Sequence, residues 1–284
     1  MQLSKIVKLL SKVRGVKAIA LGGSRSRDEA DEHSDFDLGL YYQADILDLA
    51  ALEKTLQTLD DDHRENTLNP PGEWGPWING GAWLTFERMP VDILLRDLQT
   101  VANVVNDCIG GKITIDYQCG HPFGFVNTIY AAETHYCRPL WQDESVALDQ
   151  LKTLLYSQGE YSPKMREAVI RKFLWEAWFS LTCGRKAALK GDLNYAMGSM
   201  FRTVCSWVEV LYAVNNLYLM NEKGALSRIS HLNYKPIGFE KKVKIAYKLF
   251  ADGCADSAYP MLDELHMEVG SLTGGIQPIG TPIR

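Results

Sequence analysis

The sequence predicts an α+β region followed by an all-α helical bundle. Three observations predict it. Short apolar runs bounded by Gly, Pro and Asn recur between Val16 and Phe125 and read as strands. Segments with apolar residues three and four apart lie between them and read as helices. From Ser145 the strand pattern stops, and long helically periodic stretches take over. The expected division is 1–143, 144–269 and an extended or flexible tail over 270–284.

The first half is organised around residues 17–42. Val16–Leu21 is an apolar run closed by Gly22-Gly23, which reads as a buried strand ending in a tight turn. Ser24 and a polar segment with Arg25 and Arg27 follow. A second strand, Phe36–Tyr42, has Asp35 and Asp37 at its entrance. Side chains alternate along a strand, so these two carboxylates share one face. They repel unless a cation sits between them. Mg²⁺ suits such a site, taking a few carboxylates plus substrate phosphates and water. Gly-Gly-Ser lets backbone and hydroxyl approach a phosphate closely. A calcium loop starting at Asp28 fails, because Ala30 occupies a ligand position and Gly39 replaces the closing Glu.

Gly22-Gly23-Ser24, a ten-residue spacer and Asp35-Phe36-Asp37-Leu38 resemble the signature of the DNA polymerase beta-like nucleotidyltransferases. The resemblance implies a mixed sheet with flanking helices, two Mg²⁺ ions and ATP as co-substrate. It implies Asp35 and Asp37 as catalytic metal ligands, with a third carboxylate on a neighbouring strand. It implies Gly22, Gly23, Ser24 and Arg27 as nucleotide contacts. A nucleotidyltransferase domain ahead of a helical bundle is similar in architecture to the aminoglycoside and lincosamide nucleotidyltransferases. That likeness implies a small-molecule acceptor and a homodimer.

Composition narrows the partners. The chain has 284 residues, 46% hydrophobic and 23% charged, which is ordinary for a globular protein. Its 30 basic and 35 acidic residues give a net charge of −5, which argues against nucleic acid as partner and weakly favours a cationic acceptor. The six cysteines are scattered with no CxxC pair, so they are expected as small core hydrophobes rather than zinc ligands. The N-terminal segment, with Leu3, Ile6, Val7, Leu10 and Val13, reads as an amphipathic helix, not a secretory signal. No run reaches the roughly 18 apolar residues of a membrane span. A cytoplasmic protein is expected.

Further along, Ala44–Asp62 is expected as a helix ending in the charge run Asp60-Asp61-Asp62, read as a solvated end. Residues 66–81 read as a loop whose Trp74 and Trp77 either pack or wall an acceptor. Ala82–Glu87 and Pro90–Arg96 read as a hairpin turning at Arg88-Met89. In its second strand Asp92 stands among Val91, Ile93 and Leu95. A buried carboxylate without a partner costs several kcal/mol. It therefore pairs with an Arg, or it is the third catalytic and metal-binding carboxylate that the resemblance implies. Asp92 is the assignment and Glu87 the fallback. His121 sits in a turn before Pro122, and Arg138–Glu144 reads as the linker.

Helices are expected over 146–158, 163–190, 192–219, 240–252 and 257–269. The third carries a polar seam, Tyr195, Ser199, Arg202, Ser206 and Glu209. It reads either as a solvated stripe or as a face closing over the cleft, with Arg202 on the triphosphate. The function expected is transfer of AMP from ATP to a small-molecule hydroxyl. A protein or RNA acceptor, and a non-catalytic nucleotide-sensing module, stand as the alternatives.

Overall fold

The structure is a computed structural model and describes residues 3–31 and 34–279. The chain divides into two compact units, Met1–Asn106 with Asp116–Ser157, and Asp107–Ile115 with Gln158–Arg284. The first is a mixed sheet with flanking helices and the second is mainly helical.

The first unit opens with α1 (Leu3–Leu10), β1 (Val16–Leu21) and the single turn α2 (Gly23–Ser26). β2 (Phe36–Tyr42) and α3 (Leu49–Leu59) follow, then the hairpin β3 (Gly81–Phe86) and β4 (Met89–Asp97). Helix α4 (Leu98–Ile109) leads to a small ribbon, β5 (Ile115–Asp116) with β6 (Phe125–Val126). The unit closes with α5 (Thr128–Tyr136), β7 (Arg138–Gln142) and α6 (Ala147–Leu155). The main sheet runs β3-β4-β2-β1-β7. Only β2 and β4 pair in parallel; the other neighbours are antiparallel.

Alternation fixes which face is which. Leu38 and Leu40 of β2 and Val91, Ile93 and Leu95 of β4 point into one core. Ile6 and Leu10 of α1 and Leu52, Leu56 and Leu59 of α3 cover them. Residues between them must face the other way, which sends Asp37 and Asp92 to the opposite side. On that side α5 attaches through Glu133, which accepts from Arg96 at 2.6 and 2.8 Å.

Several expectations shift for physical reasons. The helix expected over Ala44–Asp62 is Leu49–Leu59, started by Asp48, whose carboxylate caps the Ala51 N–H at 2.9 Å. The hairpin turns at Glu87-Arg88, both at positive φ, one residue earlier than read. Glu87 is therefore a turn residue and not a strand carboxylate, which removes the fallback. Arg138–Glu144 is not a linker, since Arg138–Gln142 pairs with β1 as an edge strand. Pro139 suggested a break, but an edge tolerates a missing N–H.

The charge run is not merely solvated. Asp60 is fully buried and takes two hydrogen bonds from the Arg64 guanidinium, at 2.7 and 2.8 Å, and one from the Thr85 N–H at 3.0 Å. The Arg64 hydrogen bonds chiefly hold its carboxyl well below the usual range. Asp61 accepts from the N–H groups of Glu87 and Arg88 at 3.0 and 2.8 Å. Two of the three acids thus clamp the hairpin that carries Asp92. Only three cysteines, Cys108, Cys137 and Cys205, are buried; Cys119 and Cys254 are exposed, so the core reading holds for part of the set.

In the second unit α7 (Pro163–Ala188) and α8 (Leu193–Val214) are the long helices. The short α9 (Ala225–Arg228), α10 (Phe239–Ala251) and α11 (Ala255–Ser271) follow. Ser162 caps α7 ahead of Pro163, and Asp192 caps α8. A Cβ on Gly184 of α7 would meet the Ser199 Cβ of α8 at 2.8 Å, so the two helices approach closely there. The seam on α8 turns inward along its length: Tyr195 is exposed, while Ser206 and Glu209 are buried. Beyond α11 the Ile279 N–H donates to the Arg171 carbonyl at 3.2 Å. Of the 270–284 segment, residues 280–284 lie outside the described residues.

Replacing Asp60 with Ala strands the Thr85 N–H and removes the Arg64 partner. Urea unfolding is expected to show a loss of about 2 kcal/mol, against less than about 0.5 kcal/mol for Asp62→Ala.

Candidate active site

The strand register builds the site. Asp37 of β2 stands directly opposite Asp92 of β4 in the parallel ladder. On the other side of β2, the Gly22 N–H donates to the Asp37 carbonyl at 2.8 Å, which brings the glycine turn against the same residue. Gly23 has φ of +58°, and a Cβ there would fall 1.7 Å from Asp37 Oδ2. Only glycine leaves room for that carboxylate. Ser24 follows in α2.

Asp35 precedes β2 and is exposed. Its position is braced by Arg25, which donates to the Asp35 carbonyl at 3.1 Å and the Ser34 carbonyl at 2.6 Å. The Arg25 guanidinium lies 3.8 Å above the Phe36 ring. Arg25 thus shapes the entrance to the Asp-x-Asp strand, a role that sequence spacing did not reveal.

The charge at Asp92 is the clearest electrostatic feature. Its pKa is pushed up to about 6, first by burial, then by the carboxylates of Asp37 and Asp35. The nearby cation on its strand is committed elsewhere, because Arg96 pairs with Glu133. The alternative in which Asp92 pairs with an arginine therefore fails for Arg96. The donor set is all carboxylate oxygen, the hard kind that suits Mg²⁺. Among the described residues no three His, Cys, Asp or Glu side chains converge tightly enough to hold a metal alone. Mg²⁺ needs only one or two carboxylates when phosphates and water complete its shell.

The expected arginines each have a carboxylate partner. Arg27 pairs with Glu29 at 3.0 Å and lies over the Tyr136 ring. Arg202 belongs to the second unit and pairs with Glu176 of α7. In that unit Glu209 has its pKa raised to about 8, by burial first and then by Glu222 and Glu176. Trp77 packs against Phe125 with ring centroids 5.1 Å apart, and His121 meets the Phe125 ring at 5.0 Å. Trp74 instead stacks on Trp83.

Residues 1–67 match the nucleotidyltransferase domain family. The match supports nucleotidyl transfer as the general chemistry; it contains Gly22, Gly23, Ser24, Asp35 and Asp37 and ends before Asp92. A nucleotidyltransferase-like protein from Exiguobacterium sibiricum has a solved structure similar over 96% of this chain and 76% of its own. The identity is 10% and the TM-score 0.44. No curated protein matches the sequence significantly. No described helix is long and apolar enough to cross a membrane.

Two outcomes follow from this geometry. Gly23→Ala costs about 1–2 kcal/mol of stability from the positive φ; on the reading that Asp37 is catalytic, displacing its carboxylate lowers nucleotidyl transfer on the order of 10²-fold. Comparing unfolding with turnover separates the two. The folded-state pKa of Asp92 lies above its unfolded value, so the folded state binds the extra proton between about pH 4 and 6. Stability of the metal-free protein therefore falls as pH rises through that window. Asp92→Asn removes the fall and is more stable at pH 8, by on the order of 1–3 kcal/mol, read as a denaturation series across pH.

Proposed function

We propose that the chain is a metal-dependent nucleotidyltransferase that moves AMP from ATP to a hydroxyl of a small molecule and releases pyrophosphate. The observation that carries the reading is the row formed by the glycine turn, Asp37 and Asp92, one element from each of three adjoining strands. Asp35, Asp37 and Asp92 would hold Mg²⁺, as a pair of ions. When bound, the cation neutralises the carboxylates and the charge that develops on the attacking and leaving oxygens.

The protein's own groups have separable tasks. Gly22 and Gly23 remove side-chain bulk so that phosphate lies close to the backbone, and Ser24 adds a hydroxyl. The acceptor hydroxyl attacks the α-phosphorus. The bond from that phosphorus to the bridging oxygen of the β-phosphate breaks, and its electrons leave with pyrophosphate. The hydroxyl proton passes to a carboxylate of the row that is not holding the cation; Asp92 takes it where Asp35 and Asp37 hold the cation. Arg27, which pairs with Glu29, would turn to the triphosphate. The compartment of this proposal is the cytoplasm, where ATP is supplied. An aminoglycoside- or lincosamide-like antibiotic is the acceptor class tested first.

Asp37→Asn keeps the shape and removes the charge. Pyrophosphate release from ATP, Mg²⁺ and an acceptor panel is expected to fall at least 10³-fold while the melting curve stays cooperative. Full activity in that variant contradicts the assignment.

A further inference from the structure

The row of site residues does not end at Asp92. In the antiparallel ladder Trp83 of β3 stands directly opposite Asp92. Directly paired residues project to the same face, so Asp37, Asp92 and Trp83 occupy successive strands on one side of the sheet. Trp83 is 58% exposed, an unusual state for the largest apolar side chain. Trp74 stacks on it with ring centroids 4.4 Å apart and planes 25° apart.

This pair is a held arrangement. Gln118 donates to the Trp74 carbonyl at 2.6 Å, and Arg64 donates to the Trp83 carbonyl at 3.0 Å. A Cβ on Gly81 would strike the Ile93 carbonyl oxygen at 1.9 Å and lie 3.1 Å from the Trp74 ring, so glycine serves the strand pairing first and also leaves the indole room. The result is a partly exposed indole pair beside a carboxylate, one strand spacing of about 4.8 Å away.

Strand order gives the pair a direction. The glycine turn follows β1, on one flank of the carboxylates, and Trp83 lies on β3, on the other. A triphosphate seated at the glycines leaves the tryptophan flank for the second substrate. We propose that the Trp74–Trp83 pair is the acceptor subsite, and that it takes a cyclic polyol, a saccharide or cyclitol whose ring face lies on Trp83 with a hydroxyl at Asp92. Indole offers a broad apolar face that accepts the C–H face of such a ring. A nucleic acid fits less well, given the net charge of −5. The inference rests on the nucleotidyl-transfer reading and adds the residues of the acceptor subsite and its side of approach.

Ligand-observed saturation-transfer NMR on the full chain tests it. The probes are kanamycin, lincomycin and phenyl β-glucoside, with sorbitol as the ring-free control and a short RNA oligonucleotide. The expected result is saturation of ring protons in at least one cyclic probe, reduced about tenfold in Trp83→Ala, retained in Trp83→Phe and absent for sorbitol. Undiminished signal in Trp83→Ala, no signal for any cyclic probe, or signal for the RNA alone overturns it. Calorimetry of Mg²⁺–ATP binding to the wild type runs in parallel. A failure there removes the transfer reading and leaves the platform result to be judged by itself.

Discussion

The in-register parallel pairing of β2 with β4 is the constraint on which the rest depends. It sets Asp37 against Asp92, and the Asp37 carboxylate helps to raise the Asp92 pKa. Neither strand has a choice of face. Leu38 and Leu40 on one, and Val91, Ile93 and Leu95 on the other, must enter the core. The hydrophobic requirement of one side thus dictates the electrostatic conflict on the other. Burying several leucine-sized side chains contributes on the order of 1.5–3 kcal/mol each, enough to outweigh one raised carboxyl pKa.

Other features read as consequences of that conflict. The Asp60–Arg64 pair and the Asp61 cap fix the hairpin, so β4 cannot slip to relieve the repulsion. Glu133 engages Arg96, which would otherwise be the natural counter-ion for a carboxylate on that face. Arg25 spends its donors on main-chain carbonyls at the strand entrance. Arg96 and Arg25 are thus engaged with Glu133 and with main-chain carbonyls. Gly23 completes this by leaving the Asp37 carboxylate its space.

Much of this was legible before the structure. β1 and β2 follow from apolar runs and their glycine stop, and their bounds are as read. Asp92 stood out because a carboxylate in an apolar strand demands a reason. Less local features were hidden. The Asp60 run looks solvated because the Thr85 N–H lies on a separate strand, and pattern does not show that Arg64, four residues on, folds back onto Asp60. β7 was missed because Pro139 and its charged neighbours imitate a linker, and only pairing with β1 reveals the edge. Pattern alone makes a strand tryptophan such as Trp83 look like packing. Its exposure and its register against Asp92 are properties of the folded sheet. The Arg27–Glu29 pair is likewise a property of the folded loop, which motif position does not show.

The central claim is that the carboxylate row is completed by a cation and a triphosphate. A crystal structure with Mg²⁺ and a non-hydrolysable ATP analogue measures it most directly. The account predicts metal between the phosphates and the carboxylates of Asp37 and Asp92, with the triphosphate along Gly22–Ser24. An analogue bound away from the glycine turn, with Asp37 and Asp92 contacting neither metal nor phosphate, contradicts it.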